Sequence, residues 1–372
     1  MSEHTKHAKL KLRNNDNFAP NEIAIVGTKC SVIADLVQQV SKKLGKYKLA
    51  YLDASHAEEI GQKACDCFTF HPSGTAAIST IIGRNKFNQR IQFSPYDLLF
   101  INGNHYEGAK QILILDNDKE ASVLKRLNQL NNIQFVIKLT DDAKYFNFLE
   151  EKNPQIKNLP CFHIAEIDKI SKHIENLIKE KIAPIHGLVL AGGKSTRMGT
   201  DKGLLNYHGQ AQRDYLFELL KSVLGKEQSV FLSARAEQNI ENKSVINDTF
   251  IGLGPFGALC SAFMHNPNAA YLAVATDVPF VNQSVLNLLI SKRNPHKIAT
   301  ALKGRSSEFM EPLICIWEPK AYPILLSFLA QGYSCPRKVL LNSDVEIVEV
   351  ADDFIRNINT PAEFNQAKSQ LK

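Results

Sequence analysis

Gly187-Leu188-Val189-Leu190-Ala191-Gly192-Gly193-Lys194-Ser195-Thr196-Arg197-Met198-Gly199-Thr200-Asp201-Lys202 starts as a short apolar run and ends as a glycine-rich, cationic loop. The apolar part reads as a buried strand. In open α/β sheets the carboxyl ends of strands face the ligand crevice, so the loop is placed where a ligand would sit. Two glycines let the backbone approach anionic oxygens, and successive N–H groups of such a turn form an anion-binding concavity. Arg197 then offers a fork for phosphate and Lys202 a point charge. A Gly-Gly pair by itself is an ordinary strand-to-helix turn.

Downstream, Gln228–Leu232, Tyr271–Ala275 and Lys297–Ala301 repeat the strand signal with helical segments between them. Residues 185–372 are therefore expected to form a doubly wound, Rossmann-like α/β domain. Upstream, residues 166–181 are charged with apolar positions at helical spacing, and Ala183-Pro184 ends that stretch, which marks a domain boundary. Before it, Glu22–Val26, Ser31–Leu44 and Leu49–Leu52 make a strand–helix–strand unit. Asp97–Ile101, Gln111–Leu115 and Ile133–Leu139 read as buried parallel strands. Residues 1–180 are thus expected to form a second doubly wound α/β domain, with no internal repeat relating the two.

Bulk composition agrees with two domains. The chain has 372 residues, 44% hydrophobic and 22% charged, without a low-complexity tract, the profile of ordered globular protein. No run approaches the roughly 18 apolar residues of a membrane span, and the basic start has no apolar segment behind it. The seven cysteines, Cys30, Cys65, Cys67, Cys161, Cys260, Cys315 and Cys335, are odd in number and form no CxxC pair. A reduced, cytoplasmic protein without a zinc site is the expectation. The formal charge of +6 is spread along the chain, which argues against nucleic acid as a partner and suits small phosphorylated ligands.

The string Leu-Ala-Gly-Gly-x-x-x-Arg-Met-Gly-x-Asp-Lys over 190–202 resembles the signature of the molybdenum cofactor guanylyltransferases, the MobA family, and more loosely that of sugar nucleotidyltransferases. The resemblance runs through 185–372. It implies that Leu190, Ala191, Gly192, Gly193 and Lys202 hold the nucleotide and that Arg197 contacts the triphosphate, with Lys202 and Arg197 as the catalytic cations. Asn247-Asp248 followed by Gly254-Pro255-Phe256-Gly257 is similar to the segment lining base and ribose, which implies a nucleotide role for Asp248. Read on its own, that aspartate is equally a turn residue.

Tyr271-Leu-Ala-Val-Ala275 leads to Thr276-Asp277-Val278-Pro279, a carboxylate at the carboxyl end of a strand. Magnesium takes oxygen ligands, one or two carboxylates with phosphates and water completing the shell. The resemblance implies that Asp277 binds Mg2+ and faces the nucleotide; without it, an aspartate starting a turn before proline is as good a reading. Asn357-Ile358-Asn359-Thr360-Pro361 resembles the family's acceptor-side segment, which implies acceptor contacts for Asn357 and Asn359. Thr360-Pro361-Ala362-Glu363 is also a plain helix start.

The implied activity is transfer of GMP from GTP to the terminal phosphate of molybdenum-bound molybdopterin, with release of pyrophosphate. Its implied partners include other molybdenum cofactor or molybdoenzyme proteins. Such an acceptor is already ionised near neutral pH, so positioning and charge neutralisation carry the rate. The Leu-Ala-Gly-Gly form resembles the guanylyl branch, while Ala258 and Ala234 stand where the family has Gly and Asn. Two rival readings remain: a cytidylyl or sugar-phosphate nucleotidyltransferase, and a catalytically silent adaptor. In the first half, Gly27-Thr28-Lys29-Cys30-Ser31 sits where a P-loop would, but Val32, Ile33 and Ala34 occupy the Gly, Lys and Ser/Thr positions that motif demands. Residues 1–180 distantly resemble MobB, a GTP-binding adaptor, which implies a degenerate P-loop domain that docks a partner or delivers cofactor.

Overall fold

The computed structural model describes residues 9–55, 67–74, 76–79, 85–192, 201–235, 237–238 and 240–371. They divide into two compact units, Asn15–Lys181 and Ile182–Lys372, the described residues before Asn15 grouping with the second. Among the described residues no helix is long and apolar enough to cross a membrane.

The first unit contains β1 (Glu22–Val26), β2 (Leu49–Leu52), a hairpin of β3 (Cys67–Phe70) and β4 (Ala76–Ser79), then β5 (Leu98–Asn102), β6 (Gln111–Leu115), β7 (Ile133–Lys138) and β8 (Cys161–His163). Six of these strands form one sheet in the order β2-β5-β1-β6-β7-β8. All its pairings are parallel. Parallel sheets need both faces covered, which is why β1, β5 and β6 are buried at every position. Ile23, Ile25 and Phe100 pack under helices Cys30–Lys43 and Ile167–Lys179, while Val26, Leu113 and Val136 face Val123, Phe146 and Leu149 on the other side. The amphipathic stretch before the boundary thus completes the first unit's core.

The second unit contains β9 (Ile185–Leu190), β10 (Val230–Ala234), β11 (Val245–Asn247), β12 (Ala270–Ala275), β13 (Ala299–Gly304), β14 (Met310–Trp317) and β15 (Val345–Val350). Their order is β11-β10-β9-β12-β14-β13-β15. Strand alternation divides β12 between two cores: Tyr271 and Ala273 pack with Phe256, Leu259 and Phe263, and Leu272 and Val274 with Leu216, Leu220 and Leu289. The doubly wound pattern carries one antiparallel member, β14, which runs against both β12 and β13. Its direction follows from chain length: residues 305–309 are too few for a parallel crossover, which takes about a dozen residues or more. This reversal brings the start of β14, with Glu311, to the edge of the sheet where β9 and β12 end.

Candidate active site

Leu190 and Ala275 are direct partners at the ends of β9 and β12, so Gly192 and Asp277 leave neighbouring strands at one level. A cavity of 290 Å³ opens there, and Leu190, Gly192, Lys202, Asp248, Asp277 and Asn359 all line it. Pro255, Ala258 and Leu313 supply apolar wall. Asp201 also lines it and caps the short turn Lys202–Leu204, its Oδ1 accepting from Gly203 N at 2.9 Å.

Lys202 stands at the centre of the polar part. Its Nζ donates to Asn359 Oδ1 at 2.7 Å and to Asp277 Oδ2 at 3.3 Å. Asp277 Oδ1 is buried and has no hydrogen-bond partner among the described residues. An orphaned buried carboxylate oxygen is costly unless a cation or donor joins it, so this atom fits a hard divalent ion. The far end of the chain is brought here by one backbone bond, Ile358 N donating to Asp277 O at 2.8 Å. Ile358 is itself buried beside Tyr207 and Phe364. Asn359 is then fixed from behind: its N–H donates to Glu363 Oε2 at 2.6 Å, within a capping box formed by Thr360 and Glu363 at the start of helix Pro361–Gln370. These backbone donors hold the Glu363 carboxyl below the usual carboxylate range.

Gly192 and Asp248 explain each other. Ser233 Oγ donates to Asp248 Oδ1 at 2.6 Å, and a Cβ on Gly192 would stand 2.8 Å from Asp248 Oδ2. Burial pushes the Asp248 carboxyl up from its ordinary range. The Gln238 amide donates to Ala191 O at 3.2 Å and Asp201 Oδ2 at 3.0 Å, tying those two residues together.

Other expected residues are placed differently. Ala191 is buried and contributes through its main chain, accepting from Gln238 and donating to Ser233 O at 3.0 Å. Asn357 is exposed and donates to Glu311 Oε2 at 3.4 Å. Gly193 and Arg197 lie outside the described residues. Ala258 lines the cavity, while Ala234 is buried and accepts from Asp248 N at 2.9 Å.

Glu311 and Gln238 have no place in the sequence reading, and Asp201 enters it only as a fixed position of the loop string, without a role of its own. Glu311 is buried, and its carboxyl is raised first by that burial and further by the charge of Asp277. Its only sequence signal was a charge at the head of the apolar run Leu313–Trp317. A lysine among carboxylates, a buried carboxylate oxygen without a partner among the described residues and the absence of side-chain bulk at Gly192 suit a polyphosphate with its metal.

The family model of the MobA-like NTP transferase domain matches residues 187–346. The molybdenum cofactor biosynthesis bifunctional protein of Synechocystis sp. is 33% identical over 188 residues, 49% of this chain and 53% of that protein. The chain thus spans about half the length of that relative. The probable molybdenum cofactor guanylyltransferase of Bacillus subtilis is 30% identical over 191 residues, covering 48% of this chain and 92% of that protein. The corresponding protein of Flavobacterium johnsoniae is 26% identical over 186 residues, covering 49% of this chain and 96% of its own.

Proposed function

The chain belongs to the molybdenum cofactor guanylyltransferase family of MobA-like nucleotidyltransferases, and from that premise we propose that it transfers GMP from GTP to the terminal phosphate of molybdenum-bound molybdopterin, releasing pyrophosphate. The observation that carries the reading is Lys202 held between Asp277 and Asn359 in the cavity at the strand ends.

In this reading Asp277, whose Oδ1 has no hydrogen-bond partner among the described residues, would hold the divalent cation, magnesium. The bound ion supplies charge neutralisation on the phosphates. Lys202 sets a compact positive charge beside the transferring phosphate. Arg197 is assigned to the triphosphate. The backbone of Leu190–Gly193 cradles the nucleotide, and Asp248 faces its base and ribose. Asn359, and Asn357 beside Glu311, position the acceptor, whose phosphate is ionised before it attacks and needs no base. The N-terminal unit serves as a MobB-like adaptor that docks molybdenum cofactor or molybdoenzyme proteins, and the protein works in the cytoplasm.

The test is pyrophosphate release with each nucleotide in turn and molybdenum-bound molybdopterin or sugar phosphates as acceptor. GTP with the molybdopterin acceptor should give release that a chelator abolishes. Equal release with CTP or with sugar phosphates would reject the assignment.

A further inference from the structure

The first unit holds a side-chain cluster that guanylyl transfer does not use. Cys30, Asp53 and His105 follow β1, β2 and β5, which lie together at one side of the sheet in the order β2-β5-β1. Those carboxyl ends are where α/β sheets place ligands. The chain turns sharply to get there. Gly27 has φ +110°, and a Cβ on it would stand 2.1 Å from Ile114 O, so only glycine fits. Cys30 becomes the first residue of the helix Cys30–Lys43, where unpaired backbone N–H groups favour negative charge.

Cys30 Sγ lies 3.3 Å from His105 Nε2 and accepts from Asn104 Nδ2 at 3.6 Å. The same His105 nitrogen is 3.8 Å from Asp53 Oδ1. Asp53 is held in turn by Tyr51 OH at 2.9 Å and by Asn102 Nδ2 and Ala54 N, both at 2.8 Å. Asn104 is anchored to Thr28 O at 2.9 Å, while its Oδ1 is buried with no hydrogen-bond partner among the described residues. The His105 and Asp53 side chains are 19% and 30% exposed and Cys30 is half-buried, so the cluster is partly open to solvent. A nucleophile, a base within hydrogen-bond reach and a carboxylate near enough to the base nitrogen to favour its protonated form by charge are parts of covalent chemistry at a thiol.

We propose that Cys30 is a thiol-exchange site for small-molecule disulfides, with His105 as its base and Asp53 as the positioning residue. His105 Nε2 takes the proton from Sγ, and the sulfur attacks one sulfur of R–S–S–R. That S–S bond breaks as the Cys30–S–S–R bond forms, and the proton passes to the departing thiolate to give R–SH.

The full-length protein carries its own controls, since Cys161 and Cys335 are exposed free thiols. It is treated with dithiobis(nitrobenzoate), and the modified positions are mapped by peptide mass at early times. Cys30 should react on the order of tenfold faster than Cys161 and Cys335, despite being less accessible. His105→Ala should remove that advantage while the two exposed thiols keep their rates, and added imidazole should restore it. Asp53→Asn should slow Cys30 severalfold, and it decides the matter if His105→Ala does not fold. Cys30 reacting no faster than the exposed thiols, or keeping its rate in either variant, would overturn the proposal.

Discussion

Replacing Lys202 by alanine separates the structural role of its ammonium from the catalytic one. In the resting protein the change strips a donor from Asn359 Oδ1 at 2.7 Å and from Asp277 Oδ2 at 3.3 Å. The Lys202 and Asp277 side chains are 17% and 23% exposed, so solvent screens part of the pair and part of the loss. A cost of about 1–2 kcal/mol follows, between that of an exposed pair and a buried one. For a domain of this size that lowers Tm by about 2–8 °C. The transition state, with charge spread over α-phosphate and pyrophosphate, depends on the ammonium more strongly. Removing one preorganised donor from a developing oxyanion costs about 10²–10³ in kcat, or about 2.7–4 kcal/mol. Pyrophosphate release at saturating nucleotide and metal, alongside thermal unfolding, measures both. The expected result is a kcat loss larger than the stability loss explains, partly recovered in Lys202→Arg. Turnover within threefold of the parent, or a loss confined to KM, would refute the placement of Lys202 at the reacting phosphate.

Gly192→Ala should raise the nucleotide KM about tenfold with a smaller change in kcat, because the new Cβ, 2.8 Å from Asp248 Oδ2, displaces a carboxylate that Ser233 anchors. Steady-state kinetics check it, and Gly192→Ala combined with Asp248→Ala should lose little more than either change alone. Glu311→Gln should gain stability relative to the parent as pH rises. The folded-state carboxyl sits above its unfolded value, so the parent is favoured at low pH and is penalised as pH rises through the folded value, a penalty glutamine lacks. Paired thermal melts across the acid-to-neutral range should show that growing difference, and a constant offset would contradict it. Thr360→Ala should cost about 1 kcal/mol by opening the capping box and should loosen Asn359, seen as a Tm drop accompanied by a raised KM for the acceptor.

Much of the sheet framework is readable from local patterns because the central strands of both units are buried on two faces and therefore stand out as apolar runs, as in β1, β6 and β12. Such runs carry no direction, and β14, which no strand reading of the sequence covers, runs backwards because the link at 305–309 is too short for a crossover. That reversal has a chemical consequence, since it sets Glu311 beside the carboxylate of Asp277. The site divides the same way. The glycine-rich loop sequence and Asp277 are visible because strand signal, turn residues and charge lie within a few positions of one another. Gln238 bridging Ala191 and Asp201, and Cys30 meeting His105 across 75 positions, depend on contacts that no local pattern encodes. Lys202 and Asn359 are 157 positions apart, and their meeting hangs on Ile358 N reaching Asp277 O while the Ile358 side chain buries beside Tyr207. The residue types needed for phosphate chemistry are thus written locally, but their convergence is a property of packing. Substitutions at Tyr207 or Ile358, which do not line the cavity, should therefore weaken acceptor binding through Asn359 while leaving the nucleotide KM near its parent value.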